Sequence, residues 1–391
     1  MFSLLQVKPY DYSDPWDIPC SDRVRLLYRK KVRVVYLYEG RDNSTFRYRV
    51  FNMVDSLNSA PASSISAAWF YKDEIEQVMQ VISDCTTLVI CRTRYSPQLV
   101  QLVRLANLHG VRVLFDVDDL VFSTQKLPLL IDTVGEYREG EQLNYWYAYV
   151  SRLAEMLRLC DGAILTNAYL AAQLNEHFPD KPTAVIPNFL NRVQQNYSEE
   201  IYRLKQLSGF SSVNAVSIGY FSGSPSHRRD FNLAAPAISM AMKRHQNIRL
   251  LLVGYIEPGE HLELFRDRID YFPMQDYVNL QRLIGSVEIN IVPLLDNEFT
   301  NCKSELKYFE AAIAGTVTIA TPTYTYSKAI RDGETGYLAK SHEWSDKIEA
   351  ALDLLAAGQY SNMATSAFEE ARRNYGWDQF SEAIAEVVVR T

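Results

Sequence analysis

The run Cys302-Lys303-Ser304-Glu305-Leu306-Lys307-Tyr308-Phe309-Glu310-Ala311-Ala312-Ile313-Ala314-Gly315, followed by Thr316-Val317-Thr318-Ile319-Ala320, constrains the fold more than any other stretch. Leu306, Phe309 and Ile313 recur at helical spacing. Ser304 stands where an N-cap is expected and Gly315 where a helix commonly stops. The β-branched run beyond the glycine suits a strand buried on both faces of a parallel sheet. Lys303 and Lys307 fall four residues apart at the predicted helix start. The free N–H groups already make that end positive, so extra cations there point to a bound anion, most simply a phosphate. Glu310, further along the helix, is placed to face the same ligand. The plain alternative is an amphipathic helix with solvated lysines.

The rest of the chain repeats this strand–helix alternation, and 391 residues exceed one ordinary core, so two domains are expected. In the first half, strands are predicted at 32–38, 65–70, 86–91, 111–115, 162–165 and 183–186. Residues 1–31, rich in Tyr, Asp and Pro, read as an extended lead-in. After the first strand, Ser44 or Thr45 is a candidate cap for a helix through Leu57. Arg47 and Arg49 then sit at the helix start, at the ligand-binding end of a doubly wound sheet. They are candidates to hold an acceptor's phosphate or carboxylate, with ordinary surface arginines as the alternative. A helix predicted over 136–159 crowds Tyr145, Trp146, Tyr147 and Tyr149, which suits either an acceptor groove or core packing.

In the second half, strands are predicted at 215–221, 248–253, 269–272, 287–292 and 316–320. Between the first two lies Ser222-Gly223-Ser224-Pro225-Ser226-His227-Arg228-Arg229-Asp230. A small-residue loop between strand and helix can cradle phosphate with backbone N–H groups, and Arg229 can pair with its oxygens. No Gly-Lys-Ser/Thr follows, so this is not a Walker loop. Asp230 is a candidate N-cap, and His227 reads as a solvent-facing loop residue.

The fourth predicted strand runs into Asp116-Val117-Asp118-Asp119. Clustered carboxylates repel, so they imply a cation, a set of hydrogen-bond donors or a functional site. One reading is a Mg²⁺-dependent phosphatase with Asp116 as nucleophile and Asp118 as acid. Another is loop capping.

Composition narrows the field. A net charge of −7 argues against general nucleic-acid binding. Five cysteines, scattered and without metal-ligand spacing, suit a reducing compartment. No apolar run approaches the roughly 18 residues of a membrane span, and the first residues lack a signal-peptide pattern. From Ser21 to Val50 there are nine Lys/Arg against three Asp/Glu. That basic block points to an anionic partner such as a membrane surface, or to a solvated face.

The Glu310-Ala311 pair, the following Ala314-Gly315 and strand, and Ile330-Arg331-Asp332-Gly333-Glu334-Thr335-Gly336 together resemble the donor half of family 4 (group 1) retaining glycosyltransferases. The resemblance implies an α/β GT-B fold, two Rossmann-like doubly wound domains facing across a cleft. Residues 1–190 with a returning C-terminal helix (377–391) would form the acceptor-side domain. Residues 191–376 would form the nucleotide-sugar domain, with Pro187-Asn188 at the crossing. It implies a metal-independent glycosyltransferase without a cofactor, acting on a nucleotide-diphosphate sugar and a saccharide, lipid-linked or protein acceptor. The setting would be polysaccharide or glycoconjugate assembly in the cytoplasm, with a peripheral contact at the inner membrane face. Glu310 would bind the ribose; Ser222, Gly223, Arg229, Ser304 and Lys307 the donor; Lys303 the departing diphosphate; and Asp118 or Asp119 the donor sugar. The family's second acid, eight residues before Glu310, is here Cys302. A non-catalytic GT-B scaffold therefore stays open beside the enzyme.

Overall fold

The computed structural model describes residues 2, 7–42, 44–60, 64–134, 140–211, 215–223 and 228–389. In the first half, strands β1 (Val32–Tyr38), β2 (Ile65–Tyr71), β3 (Thr87–Cys91), β4 (Arg112–Val117), β5 (Gly162–Leu165) and β6 (Thr183–Val185) interleave with helices α1 (Cys20–Leu27), α2 (Asn52–Ser59), α3 (Ile75–Val81), α4 (Pro97–Leu108), α5 (Leu127–Val134), α6 (Glu141–Arg158) and α7 (Ala168–His177). Helix α8 (Arg192–Leu207) leads into the second half. There, strands β7 (Val216–Ser222), β8 (Ile248–Gly254), β9 (Ile269–Phe272), β10 (Ile289–Val292), β11 (Val317–Ala320) and β12 (Tyr337–Leu338) alternate with α9 (Arg228–Arg244), α10 (Asn279–Ser286), α11 (Glu298–Asn301), α12 (Leu306–Ala312), α13 (Tyr324–Ala329), α14 (Trp344–Ala356), α15 (Tyr360–Tyr375) and α16 (Ser381–Val389).

Each half carries one six-stranded sheet, in the orders β2-β1-β3-β4-β5-β6 and β12-β11-β10-β7-β8-β9. Every strand pairing is parallel. The strand interiors are fully buried, Val34 to Leu37 and Leu250 to Leu252 among them, as parallel sheets covered on both faces require. The second order reverses between β10 and β7 and the first between β1 and β3. Those reversals open the crevices where doubly wound sheets take ligands.

Local capping groups fix several helix ends. Ser96 caps α4, accepting the Leu99 N–H at 3.3 Å. Asn167 caps α7, accepting the Leu170 N–H at 2.9 Å. Gly315 ends the α12 segment at φ +69°, and a Cβ there would lie 2.8 Å from the Tyr202 ring. Other expectations change. The cap of the first long helix is Asp42, which accepts the Ser44 and Phe46 N–H groups at 2.8 and 3.0 Å; neither Ser44 nor Thr45 does so. Asp230 lies inside the first turn of α9, with its carboxylate on the Leu295 N–H at 2.9 Å. Part of the helix predicted over 136–159 falls at 136–139, outside the described residues; α6 begins at Glu141.

The lead-in is not simply extended. It contains α1, and its first residues lie on the second domain. The Phe2 N–H reaches Ser286 O at 3.1 Å, Arg282 Nε donates to Val7 O at 3.0 Å, and Tyr10 and Asn279 exchange two hydrogen bonds. Trp16 then packs between Phe51 of the first domain and Tyr277 of the second. At the other terminus, α16 packs on α2, and Arg112 Nη1 donates to Val387 O at 2.8 Å. Both chain ends thus tie the two sheets together.

The basic block of residues 21–50 does not form one surface. Arg23, Arg47 and Arg49 are buried, on Glu74, Glu310 and Asp116 respectively. No helix among the described residues is long and apolar enough to cross a membrane.

Candidate active site

The cleft between the sheets gathers most of the sequence-predicted residues. On the first-domain side, β4 delivers the three aspartates, and each has its own donors. Asp116 is fully buried, and Arg49 grips it with Nε and Nη2 at 2.8 and 2.9 Å. Arg49 also donates to Ile186 O at 2.7 Å and to Asn188 Oδ1 at 3.2 Å. Burial lifts the Asp116 carboxyl to about 6 against the pull of Arg49. This corrects two expectations. Arg49 is an internal ion-pair partner with no face toward an acceptor, and Asp116 is too enclosed to act as a phosphatase nucleophile. Among the described residues no group of three metal-ligating side chains occurs.

Asp118 and Asp119 lie at the cleft wall. Thr45 Oγ1 donates to Asp118 Oδ2 at 2.7 Å. Arg92 Nη1 bridges both carboxylates, at 2.8 Å from Asp118 Oδ1 and 3.0 Å from Asp119 Oδ2. From the second domain, Lys303 Nζ stands 3.5 Å from Asp119 Oδ1. Burial raises the Asp119 carboxyl, but Lys303 and Arg92 outweigh it and hold it below the usual range. Arg92 was not singled out in the sequence. It follows β3 with φ +38°, a conformation uncommon for a residue with a side chain and one that clusters at functional sites. A signal did exist: three clustered aspartates demand donors, and Arg92 and Arg94 flank the neighbouring strand end.

On the second-domain side, α12 begins at Leu306 with Glu305 before it. Ser304 is therefore not the cap; its hydroxyl is buried without a hydrogen-bond partner. Lys303 lies ahead of the helix and Lys307 in its first turn. Lys307 sits at the strand-order reversal. Asn290 of β10 donates to its carbonyl at 3.1 Å, and its amine lies 5.1 Å from the centre of the Tyr220 ring of β7. Among the described residues it forms no ion pair, and burial lowers the amine to about 8.

Ser222 is buried at the end of β7, and Gly223 follows it exposed. At Gly254 of β8, φ is +90° and a Cβ would stand 2.0 Å from Ser222 O, so only glycine lets the two strand ends meet. Residues 224–227, including His227, lie outside the described residues. Arg229 reaches back across the cleft, with Nη1 2.6 Å from Asp132 Oδ1 and 2.7 Å from Asp132 O.

Glu310 is buried at the domain junction. Its Oε1 accepts from Tyr48 OH at 2.5 Å, Gln194 Nε2 at 3.0 Å and Arg47 Nη2 at 3.2 Å. Arg47, expected near an acceptor, is thus a domain-junction residue. Cys302 is fully buried among first-domain apolar side chains, and its carbonyl accepts from Asn167 Nδ2 at 2.8 Å. Burial pushes its thiol well above the usual range. It is a packing residue in place of an acid.

Two Rossmann-like sheets whose ligand-binding ends face one another across a cleft define the GT-B fold. Known structures agree. Anabaena HepE, solved with UDP and glucose, matches 90% of this chain and 98% of its own at TM-score 0.61 and 14% identity. A glycosyltransferase from Rickettsia africae matches 93% of this chain and 100% of its own at TM-score 0.61 and 13% identity. At that identity they show the fold. Residues 216–357, the segment from β7 to α14, match the family described as glycosyl transferases group 1. The D-inositol 3-phosphate glycosyltransferases of Mycobacterium tuberculosis and Mycobacterium bovis are 28% identical to this chain over 120 residues. That match covers 30% of this chain, and the chain spans about a quarter (24%) of the length of those relatives.

Proposed function

We propose that the protein transfers a glycosyl group from a nucleotide-diphosphate sugar to an acceptor hydroxyl, with retention of configuration and without a metal, in polysaccharide or glycoconjugate assembly. The observation that carries this is Lys307, a half-buried amine without a described counter-ion at the strand-order reversal of the group 1 segment. A half-buried amine that forms no ion pair among the described residues suits an external anion.

In the reaction the bond from sugar C1 to the diphosphate breaks. A bond from C1 to the acceptor oxygen forms, and the hydroxyl's proton passes to the departing diphosphate. Negative charge grows on the diphosphate as C1 becomes positive. Cations preset at that point stabilise the transition state more than the ground state. Lys307 and Lys303 supply them, with Arg229 and the Ser222-Gly223 turn as further donor contacts and the Ser304 hydroxyl an added donor. Asp118 and Asp119 face the transferring sugar, both held by Arg92 Nη1. Glu310 takes the ribose hydroxyls once it exchanges Tyr48 and Arg47 for the nucleotide.

The test is calorimetric binding of UDP, GDP, dTDP, ADP and CMP, with and without chelator, followed by donor turnover. Metal-independent micromolar binding of one diphosphate, with release of that nucleotide from its sugar conjugate, is expected. UDP is the first choice because HepE holds it. Loss of binding on chelation defeats the metal-independent reading. The buried Cys302 in place of an acid favours one second reading, a scaffold that binds the nucleotide sugar without turnover. Binding with no turnover over any acceptor or water would select it.

A further inference from the structure

With Arg49 internal and Arg47 at the domain junction, the acceptor needs another place. Three features of the first domain converge beside Asp118. The first is the loop after β3, where Arg94 follows Arg92 and Thr93. Arg94 Nε donates to Glu39 Oε1 at 2.7 Å, and its backbone N–H meets the same oxygen at 3.0 Å. Glu39 directly follows β1, so loop and strand end are pinned at the crevice. The second is one face of α6. Tyr145 and Tyr149, four residues apart, stack with ring centres 6.0 Å apart at 25°. The Arg94 guanidinium lies 5.6 Å from the Tyr149 ring centre. Arg152, further along that face, donates to Tyr95 O at 2.6 and 2.9 Å, which holds the loop along the helix. The third is a direct link to the candidate active site, since Arg92 Nε donates to Tyr149 OH at 3.1 Å and Arg92 also grips Asp118 and Asp119.

Tyr145 is 52% exposed, a large ring left in water and stacked on the Tyr149 ring that the Arg94 guanidinium faces. We propose that Tyr145, Tyr149 and Arg94 form the acceptor subsite and that it takes a saccharide ring; the proposal rests on the glycosyl-transfer reading. A sugar offers an apolar C–H face to lie on Tyr145 and hydroxyls to receive Arg94 and give to Glu39. A lipid tail would have to lie against Glu39 and two guanidinium groups, desolvating them without hydrogen bonds in return. The ledge runs through Tyr149 and Arg92 to Asp118, so a ring bound there presents its outer hydroxyl toward the transferring sugar.

The test uses the full chain on an array of immobilised glycans with UDP present, beside UDP calorimetry in solution. Wild type is expected to retain a subset of glycans. Tyr145→Ala and Arg94→Ala should each lower that signal about tenfold. Tyr147→Ala, an exposed ring of the same helix outside the stack, should leave it unchanged. UDP affinity should stay within about twofold across all four proteins, which also shows that the variants fold. Absence of any retained glycan, or equal retention by Tyr145→Ala and Arg94→Ala, overturns the subsite. So does loss of anionic-vesicle binding in those two variants without any glycan retention. Failure of wild type to bind UDP is a different result, because it removes the donor reading whatever the array shows.

Discussion

The first crossovers of the two sheets, after β1 and after β7, occupy equivalent places in similar folds, yet they handle arginine in opposite ways. After β1, Arg47 and Arg49 lie on a π-helical turn (Arg47–Phe51), all of whose residues are buried. Their guanidinium groups answer Glu310 and Asp116 inside the protein. After β7, Arg229 is half-exposed and reaches an aspartate on the opposite wall of the cleft. The same topological address thus houses structural cations in one domain and an accessible one in the other. Position in a doubly wound sheet says where a ligand can bind; burial and internal partners say whether a given side chain is available to it.

Breaking the Arg49–Asp116 pair gives the sharpest separation. Arg49→Ala leaves a carboxylate without its partner in the core, and the expected loss is about 3–5 kcal/mol of stability, read from urea unfolding. A variant that unfolds like wild type would erase the contrast with Arg229.

Lys307→Met removes a cation that forms no ion pair among the described residues. Turnover at saturating donor should fall by the equivalent of ~2–4 kcal/mol, with little change in unfolding midpoint. Lys303→Ala should behave alike, with a smaller kinetic loss because Asp119 and Arg92 remain paired. If either variant loses stability in place of rate, the two crossovers are not so different after all.

Glu310→Ala bears on both domains. It leaves Tyr48, Gln194 and Arg47 without their shared acceptor, so a loss of about 1–3 kcal/mol in stability is expected. If Glu310 also takes the ribose, UDP affinity should fall further than that of 2′-deoxy-UDP. Equal losses for the two nucleotides would confine Glu310 to the domain junction.

Protonation sharpens the comparison further. Burial holds the Lys307 amine near 8, below the usual lysine value of about 10.4. The charged form is therefore favoured in the unfolded chain, and this group adds stability as pH rises from about 8 toward 10.4. Diphosphate binding has the opposite sign. It favours the charged amine, so affinity should weaken above pH 8, and binding there should take up a proton. Calorimetry in buffers of different ionisation enthalpy measures that uptake, and Lys307→Met should abolish it.

The smallest effect belongs to the exposed pair. Asp132→Asn should change stability by no more than about 1 kcal/mol. If Arg229 serves the donor, freeing it from Asp132 should leave nucleotide affinity equal or tighter. Weaker binding would assign Arg229 to the domain contact alone.

Much of the fold was legible because its signals are local. The alternating periods and Gly315 as a helix stop each depend on a few neighbouring residues. β12 was missed because two residues carry no pattern. α1 was missed because its amphipathic turn hides among Pro, Tyr and Asp. Of the candidate site, the lysines near α12 and the Asp118-Asp119 pair stood out as charges in costly places. Arg92 did not, because its meaning lies in oxygens 26 and 27 residues away. Arg47 and Arg49 looked like their opposites, since nothing local to them announces Glu310 or Asp116.

By itself the sequence determined a two-domain parallel α/β chain with two lysines clustered ahead of β11, since periodicity, β-branched runs and glycine placement act over short range. Only the tertiary structure decided which charges are internal. An ion pair between residues 67 or 263 positions apart exists only once two elements are packed together. Whether a guanidinium meets water or a buried carboxylate is then set by desolvation, a property of the assembled neighbourhood rather than of the residue.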